Sequence, residues 1–279
     1  MWEWFLVNSG RASRTFARFK TFARWIRGGP DRLDNHLTNS VVSLPIVPTP
    51  SDFAELYAAF DAPIQAFDCG EKCAPFNGGV PVCCDTGHSV PTAYPAEWVY
   101  LQEHTDLWHP WQPSDPADHA RLSEQAGPDL VLIECRGAAH CERDFRSLAC
   151  RSFPFFPYHD SRGAFLGLAC YREYEDRCWV ISSLDQVDAA YRDQFVRTYE
   201  RLFELMPEER ESFLYESERT RAEFIARGLR IPLLHRDGGD YLVDPGSEHL
   251  ARADARRFAR HGPFAVAARL RFPDEIASS

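Results

Sequence analysis

The clearest pattern of apolar and polar positions lies between Asp185 and Arg227, where Tyr191, Phe195, Tyr199 and Phe203 recur every four residues, followed beyond Pro207 by Phe213, Tyr215, Phe224 and Ile225. That spacing predicts two helices broken at the proline. Thr49-Pro50-Ser51-Asp52 combines a capping hydroxyl, a first-turn proline and an acid near the positive end of the dipole, and predicts a helix over Ser51 to Phe60. Further helices are expected over Tyr94 to Gln102, opened by Pro95 and Glu97, over Pro116 to Gln125, closed by Gly127, and over Glu248 to Arg260. Asp129 to Glu134 (DLVLIE) reads as a strand running into Cys135. Phe153 to Tyr158 and Ala164 to Tyr171 read as two short strands turned at Ser161-Arg162-Gly163, and Ile231 to Val243 as a hairpin at Asp237-Gly238-Gly239. The pattern therefore predicts an α+β, helix-rich fold: a small cysteine-bearing sheet with helical extensions.

Upstream, Phe16, Phe19, Phe22, Ala23 and Ile26 recur at helical steps among Arg11, Arg14, Arg18, Lys20, Arg24 and Arg27, with Glu3 the single acid. Residues 1–30 are expected to form a basic amphipathic helix ended by Gly28-Gly29-Pro30, and residues 31–50 a linker. Residues 51–182 would be the cysteine-bearing domain and 183–279 a helical C-terminal extension with the short hairpin. The helix over 1–27 could touch an anionic membrane surface or dock on an acidic protein partner or complex; the simpler reading packs it on its own domain. The acids Glu208, Glu209, Glu211, Glu216, Glu218 and Glu223 are expected to be a solvated helix face.

Composition narrows the function classes. A chain of 279 residues can bury a full core without staples, and no apolar run reaches the roughly 20 residues that span a bilayer. The net charge of -10 disfavours general nucleic-acid binding, which needs a basic face. Apolar Trp4 to Val7 precedes the arginines, the reverse of a secretory signal, so a cytoplasmic location is expected. Lys20 and Lys72 are the only lysines, a bias that suggests a GC-rich bacterial coding sequence.

All nine cysteines fall between 69 and 178. Small buried hydrophobes would scatter over every core segment, whereas ligands converge. An odd count in a reducing compartment fits metal or redox chemistry better than a disulfide framework. Cys69 and Cys73 have a spacing suited to two ligands on one turn. Cys83 and Cys84 are adjacent and would diverge on an extended backbone, so either one is not a ligand or two metals share the region. Cys135, Cys141 and Cys150 match no zinc-ribbon pair and can meet the others only through the tertiary fold. Lys72, Arg136, Arg151 and Arg177 adjoin cysteines and are expected to favour thiolates. Cys170, in the apolar run from Ala164, reads as core. That leaves Cys69, Cys73, Cys83, Cys84, Cys135, Cys141, Cys150 and Cys178 as the candidate metal ligands, for zinc or an iron–sulfur cluster. His104, His109 and His140 read as ordinary polar histidines, with His140, beside Cys141, the one to test.

Phe67-x-Cys69-Gly70-x-x-Cys73, the Cys83-Cys84 pair and Cys150-Arg151-Ser152-Phe153-Pro154-Phe155 resemble the bacterial YkgJ-type cysteine-cluster family, a zinc- or iron-chelating domain with a CxxCxxCC signature, over about Phe67 to Trp179. The first gap is three residues rather than two, nine residues separate Cys73 from the pair, and Arg146-Ser147 stands where the pattern leads one to expect Arg-Pro. The resemblance implies that the ligands come from Cys69, Cys73, Cys83, Cys84, Cys135, Cys141 and Cys150. Its superfamily is similar to the cysteine-rich part of flagellin lysine-N-methylases, which would imply S-adenosylmethionine and a lysine methyltransferase activity. The third reading is an adaptor docked by the basic helix. Neither a phosphate loop nor a dinucleotide-binding turn is present.

Overall fold

Aromatic residues at four-residue spacing do form the spine of the molecule. A computed structural model describes residues 5–7, 47–113, 115–127 and 130–265. Its helices are α1 (Pro50–Ala59), α2 (Gly70–Cys73), α3 (Pro95–His104), α4 (Pro116–Ala126), α5 (Leu148–Ser152), α6 (Ala189–Leu205) and α7 (Pro207–Arg227). The strands are β1 (Phe5–Val7), β2 (Ser89–Ala93), β3 (Trp108–Pro110), β4 (Val131–Cys135), β5 (Phe155–His159), β6 (Phe165–Cys170), β7 (Ile231–His235), β8 (Asp240–Val243) and β9 (Leu250–Ala253). The fold is α+β and helix-rich, with two antiparallel sheets ordered β1-β2-β4-β3 and β5-β6-β7-β8-β9.

Helix α6 turns Tyr191, Phe195, Tyr199 and Leu202 into the core, as its i, i+4 spacing requires. Phe60 of the α1 C-terminus packs on Tyr191 at 5.2 Å, and Tyr199 meets Phe213 of α7 edge-on at 5.5 Å. Thr49 and Asp52 form the expected capping box of α1, and Gly228 ends α7 in the left-handed conformation. One core thus joins elements from both sides of residue 183. The second sheet does the same, because β7, β8 and β9 complete the sheet that β5 and β6 begin.

Two expectations change. Glu248 to Arg260 is not a helix: Leu250–Ala253 forms strand β9 against Val243–Asp240, and Ala255–Arg257 is a single 3-10 turn. Asp244 accepts from the amides of Gly246 and Ser247, turning the chain so that Glu248 sits at φ 58° and β9 returns along an available strand edge. A ladder partner outweighs local helix preference. Among the acids of α7, Glu209 and Glu216 are buried rather than solvated, and Glu216 is held by Arg219 at 2.7 Å. The expected basic helix and linker lie outside the described residues, apart from Phe5–Val7, which are paired with Pro91–Ser89 as an edge strand instead of being helical, and the linker's last residues 47–50, where Thr49 caps α1 and Pro50 is its first residue. Among the described residues no helix is long and apolar enough to cross a membrane.

The crossing of β6 and β7 depends on Gly167. Its φ is 148°, and a Cβ there would stand 2.3 Å from the Leu234 carbonyl oxygen. Gly167→Ala is expected to cost about 3 kcal/mol through backbone displacement, read as a lower urea midpoint at unchanged slope.

Candidate metal centre

Each cysteine reaches its place by local geometry that can be traced. Asp68 Oδ1 accepts from the Gly70 amide at 2.9 Å, starting the single turn α2, and this turn stacks Cys69 and Cys73 one above the other at i, i+4. A Cβ on Gly70 would meet Pro81 at 2.9 Å, so the bare backbone lets α2 approach the segment that carries the next two thiols. Val82–Cys84 is a 3-10 turn, not the extended backbone expected, and it sets the Cys83 and Cys84 sulfurs 4.0 Å apart. Two sulfurs on one tetrahedral metal, with bonds of about 2.3 Å, lie about 3.8 Å apart. The adjacent pair can therefore serve one ion.

Cys135 ends β4, opposite Trp108 of β3, and Cys141 follows the 3-10 turn Ala138–His140. Cys150 lies in the first turn of α5, where Ser147 accepts from its amide at 3.3 Å and the buried Glu97 carboxylate accepts from the Leu148 amide at 2.6 Å. Those two acceptors satisfy donors that a helix start leaves free. Tyr191 of α6 donates from its hydroxyl to the Arg151 carbonyl at 2.9 Å, fixing the other end of the same turn. Cys178 is buried and its amide donates to the Tyr174 carbonyl at 2.8 Å.

All eight cysteines expected as ligands line one cavity of about 290 Å³, and Cys170 does not. Cys170 instead packs against the core at the end of β6, in its expected place. His104, His109 and His140 do not line the cavity; His140 is exposed. Among the described residues no three Cys, His, Asp or Glu side chains are drawn together as a finished ligand set, so the thiols surround the space rather than meet at a point.

Burial pushes the Cys69 thiol up to about 11, helped by Cys73 and Asp68 and opposed by Arg146. Burial likewise raises Cys73, Cys135, Cys150 and Cys178. Cys84 alone goes down, because Cys83 hydrogen-bonds to it and Arg146 adds positive field. Cys83, as the donor of that bond and a buried group, goes up.

The cation in this site was not among those expected. Lys72 lies over the Phe67 ring, Arg136 pairs with Asp106 at 2.8 Å, Arg177 pairs with Asp176 at 2.7 Å, and Arg151 turns to backbone carbonyls. Arg146 faces the sulfurs: its Nε donates to Cys141 Sγ at 3.1 Å, and its charge helps lower Cys84 and opposes the rise that burial imposes on Cys69 and Cys150. Burial works against the Arg146 charge, but that bond and the neighbouring thiolates raise its pKa above the ordinary value. Neighbours in sequence point apart, whereas Arg146 is brought back by the turn at Arg143–Phe145. Gln65 is the second residue missed. It lines the cavity, is 3% exposed, and neither end of its amide has a partner among the described residues. An isolated glutamine carries no sequence signal of this kind.

Arg146→Met is expected to lower the thiolate fraction at neutral pH by about tenfold, one pKa unit, with Arg146→Lys retaining part of it. Rates of iodoacetamide alkylation, resolved by cysteine with mass spectrometry, would measure this.

No protein-family model, curated protein or solved structure matches this chain.

Proposed function

We propose that this protein is a metal-binding protein of the YkgJ-like cysteine-cluster type, holding zinc or an iron–sulfur cluster through thiolates drawn from Cys69, Cys73, Cys83, Cys84, Cys135, Cys141, Cys150 and Cys178. One observation carries the reading: eight cysteines, spread in sequence from Cys69 to Cys178, share a single cavity that excludes the ninth. The donor set fits. All-sulfur coordination suits zinc and iron–sulfur clusters alike, and the 4.0 Å Cys83–Cys84 separation suits a shared ion.

Zinc supplies a closed clamp or a Lewis acid, and an iron–sulfur cluster supplies one-electron transfer. Arg146 holds positive charge at Cys141 and offsets part of the negative charge that several thiolates concentrate. Trp108, Phe153 and Trp179 supply an apolar wall that limits water. Eight sulfurs exceed the four of a closed structural zinc site, which favours redox or catalytic use over a purely structural one.

Protein purified without air is expected to carry stoichiometric zinc or iron by elemental analysis, with a thiolate-to-iron absorption band in the iron case. Cys83→Ser should lose the metal and Cys170→Ser keep it. Absence of stoichiometric metal, or equal loss in both variants, would sink the proposal.

A pH dependence follows from the raised thiols. Cys69, pushed up to about 11, is protonated at neutral pH and must release that proton to bind. Affinity measured by chelator competition is expected to fall at least tenfold per pH unit from pH 8 to 7. In the metal-free chain the same shift predicts stability that is full below the ordinary thiol value of 9.0 and lost as pH rises through about 11, because only the unfolded chain ionises freely there. Urea midpoints across that window would check it.

A further inference from the structure

A second cavity, of about 260 Å³, lies between α7, the β7–β8 edge and the 3-10 turn Ala255–Arg257, on elements other than those that carry the eight thiols. Its inner wall is apolar, with Ile181, Leu184, Phe224, Ile231 and Leu242 among the lining side chains. Its charged groups are mainly cationic: Arg172, Arg230 and Arg257 against one acid, Glu175. In a chain of net charge -10 this is a local reversal of sign.

Arg172 is anchored for a ligand. Its Nε donates to Glu223 at 2.8 Å, its Nη2 donates to Glu175 at 3.2 Å, and its guanidinium lies over the Phe224 ring at 5.6 Å. Nη1 is left buried with no partner among the described residues. A buried N–H without an acceptor is costly, and Arg172 keeps its full positive charge on the inner wall beside the two rim arginines. Glu175 does not cancel the site, because Arg227 also binds it at 3.1 Å. At the mouth the exposed Arg230 and Arg257 make no side-chain hydrogen bond or ion pair among the described residues.

We infer that this cavity is a binding site for a small amphipathic carboxylate, an acid with a compact apolar body such as a medium-chain fatty acid. The apolar wall takes the body. The carboxylate meets Arg230 and Arg257 at the rim, since guanidinium forks match carboxylate geometry, and the charge of Arg172 on the inner wall adds to the attraction. At about 260 Å³ the cavity lies just under the roughly 300 Å³ at which small-ligand sites begin, so it calls for a compact body, for which octanoate is a suitable probe. The inference does not depend on the metal proposal.

The test is isothermal titration of the full chain, as purified, with octanoate, octan-1-ol and acetate. Octanoate is expected to bind saturably at one site per chain, with octanol and acetate each at least about tenfold weaker, the scale of one lost charge-assisted contact. Arg230→Glu and Arg257→Glu change exposed side chains and should leave the circular dichroism spectrum and melting temperature unchanged, yet each should weaken octanoate by about tenfold or more. Cys83→Ser should bind octanoate normally. No octanoate binding, equal binding of octanol or acetate, or unchanged affinity in both arginine variants would overturn the assignment.

Discussion

Glu97→Ala is expected to lower the unfolding free energy by about 3–5 kcal/mol, because it strands several buried donors at once. Glu97 is fully buried and accepts from the Tyr57 hydroxyl at 2.6 Å, the Leu148 amide at 2.6 Å and the Tyr94 amide at 3.2 Å. It therefore ties α1, α3 and α5 together. Burial raises its pKa, while those three bonds and the Arg151 charge oppose the rise. With every partner a donor, the carboxylate form is the one the site accommodates. Glu97→Gln keeps one acceptor oxygen but can turn an NH2 group towards the Tyr94 amide, and should cost less, about 1–2 kcal/mol. At roughly 2–4 °C per kcal/mol the alanine variant should melt about 10 °C lower. Metal content should fall with it, since the Leu148 amide starts the turn that carries Cys150. An unchanged melting temperature would show that the carboxylate is not the tie described.

Arg151→Met is expected to cost about 3 kcal/mol and to reduce metal content further than its destabilisation alone explains. The guanidinium donates to the carbonyls of Arg146 at 2.9 Å and Asp144 at 2.6 Å on the cysteine loop, and to those of Tyr57 at 3.4 Å and of Phe60 at the end of α1. It also lies over the Tyr57 ring at 4.4 Å. Four carbonyls from two distant segments thus share one cation, which both closes the α1 terminus and fixes the backbone of Arg146. Arg151→Lys offers a point charge without the fork and should recover less than half of the loss. Denaturant midpoints and metal-to-protein ratios, measured on the same preparations, separate the two effects. A variant that keeps full metal and full stability would remove Arg151 from this role.

Much of this was legible in the chain. Caps and aromatic spacing gave α1, α3, α4, α6 and α7 to within a few residues, because those signals act over one or two turns. The β5–β6 and β7–β8 hairpins were legible for the same reason. Strand β9 was not, because Leu250–Ala253 has helical local preferences and its partner edge exists only after β7 and β8 have formed. Strands β2 and β3 are short, and their pairing with β4 is non-local.

At the candidate site, the confinement of all nine cysteines to residues 69–178 singled out eight of them, and the apolar run around Cys170 set the ninth aside. Those are properties of composition and order, which the sequence by itself determines. The tertiary structure decided that the eight share one cavity, that the Cys83–Cys84 backbone turns instead of extending, and that Arg146 supplies the charge while Arg151 holds the loop. It also decided that Gln65 and Glu97 are buried at or beside the centre. The physical reason is range: capping and periodicity act between residues a turn apart, whereas burial and the reach of a guanidinium depend on which distant segments pack together.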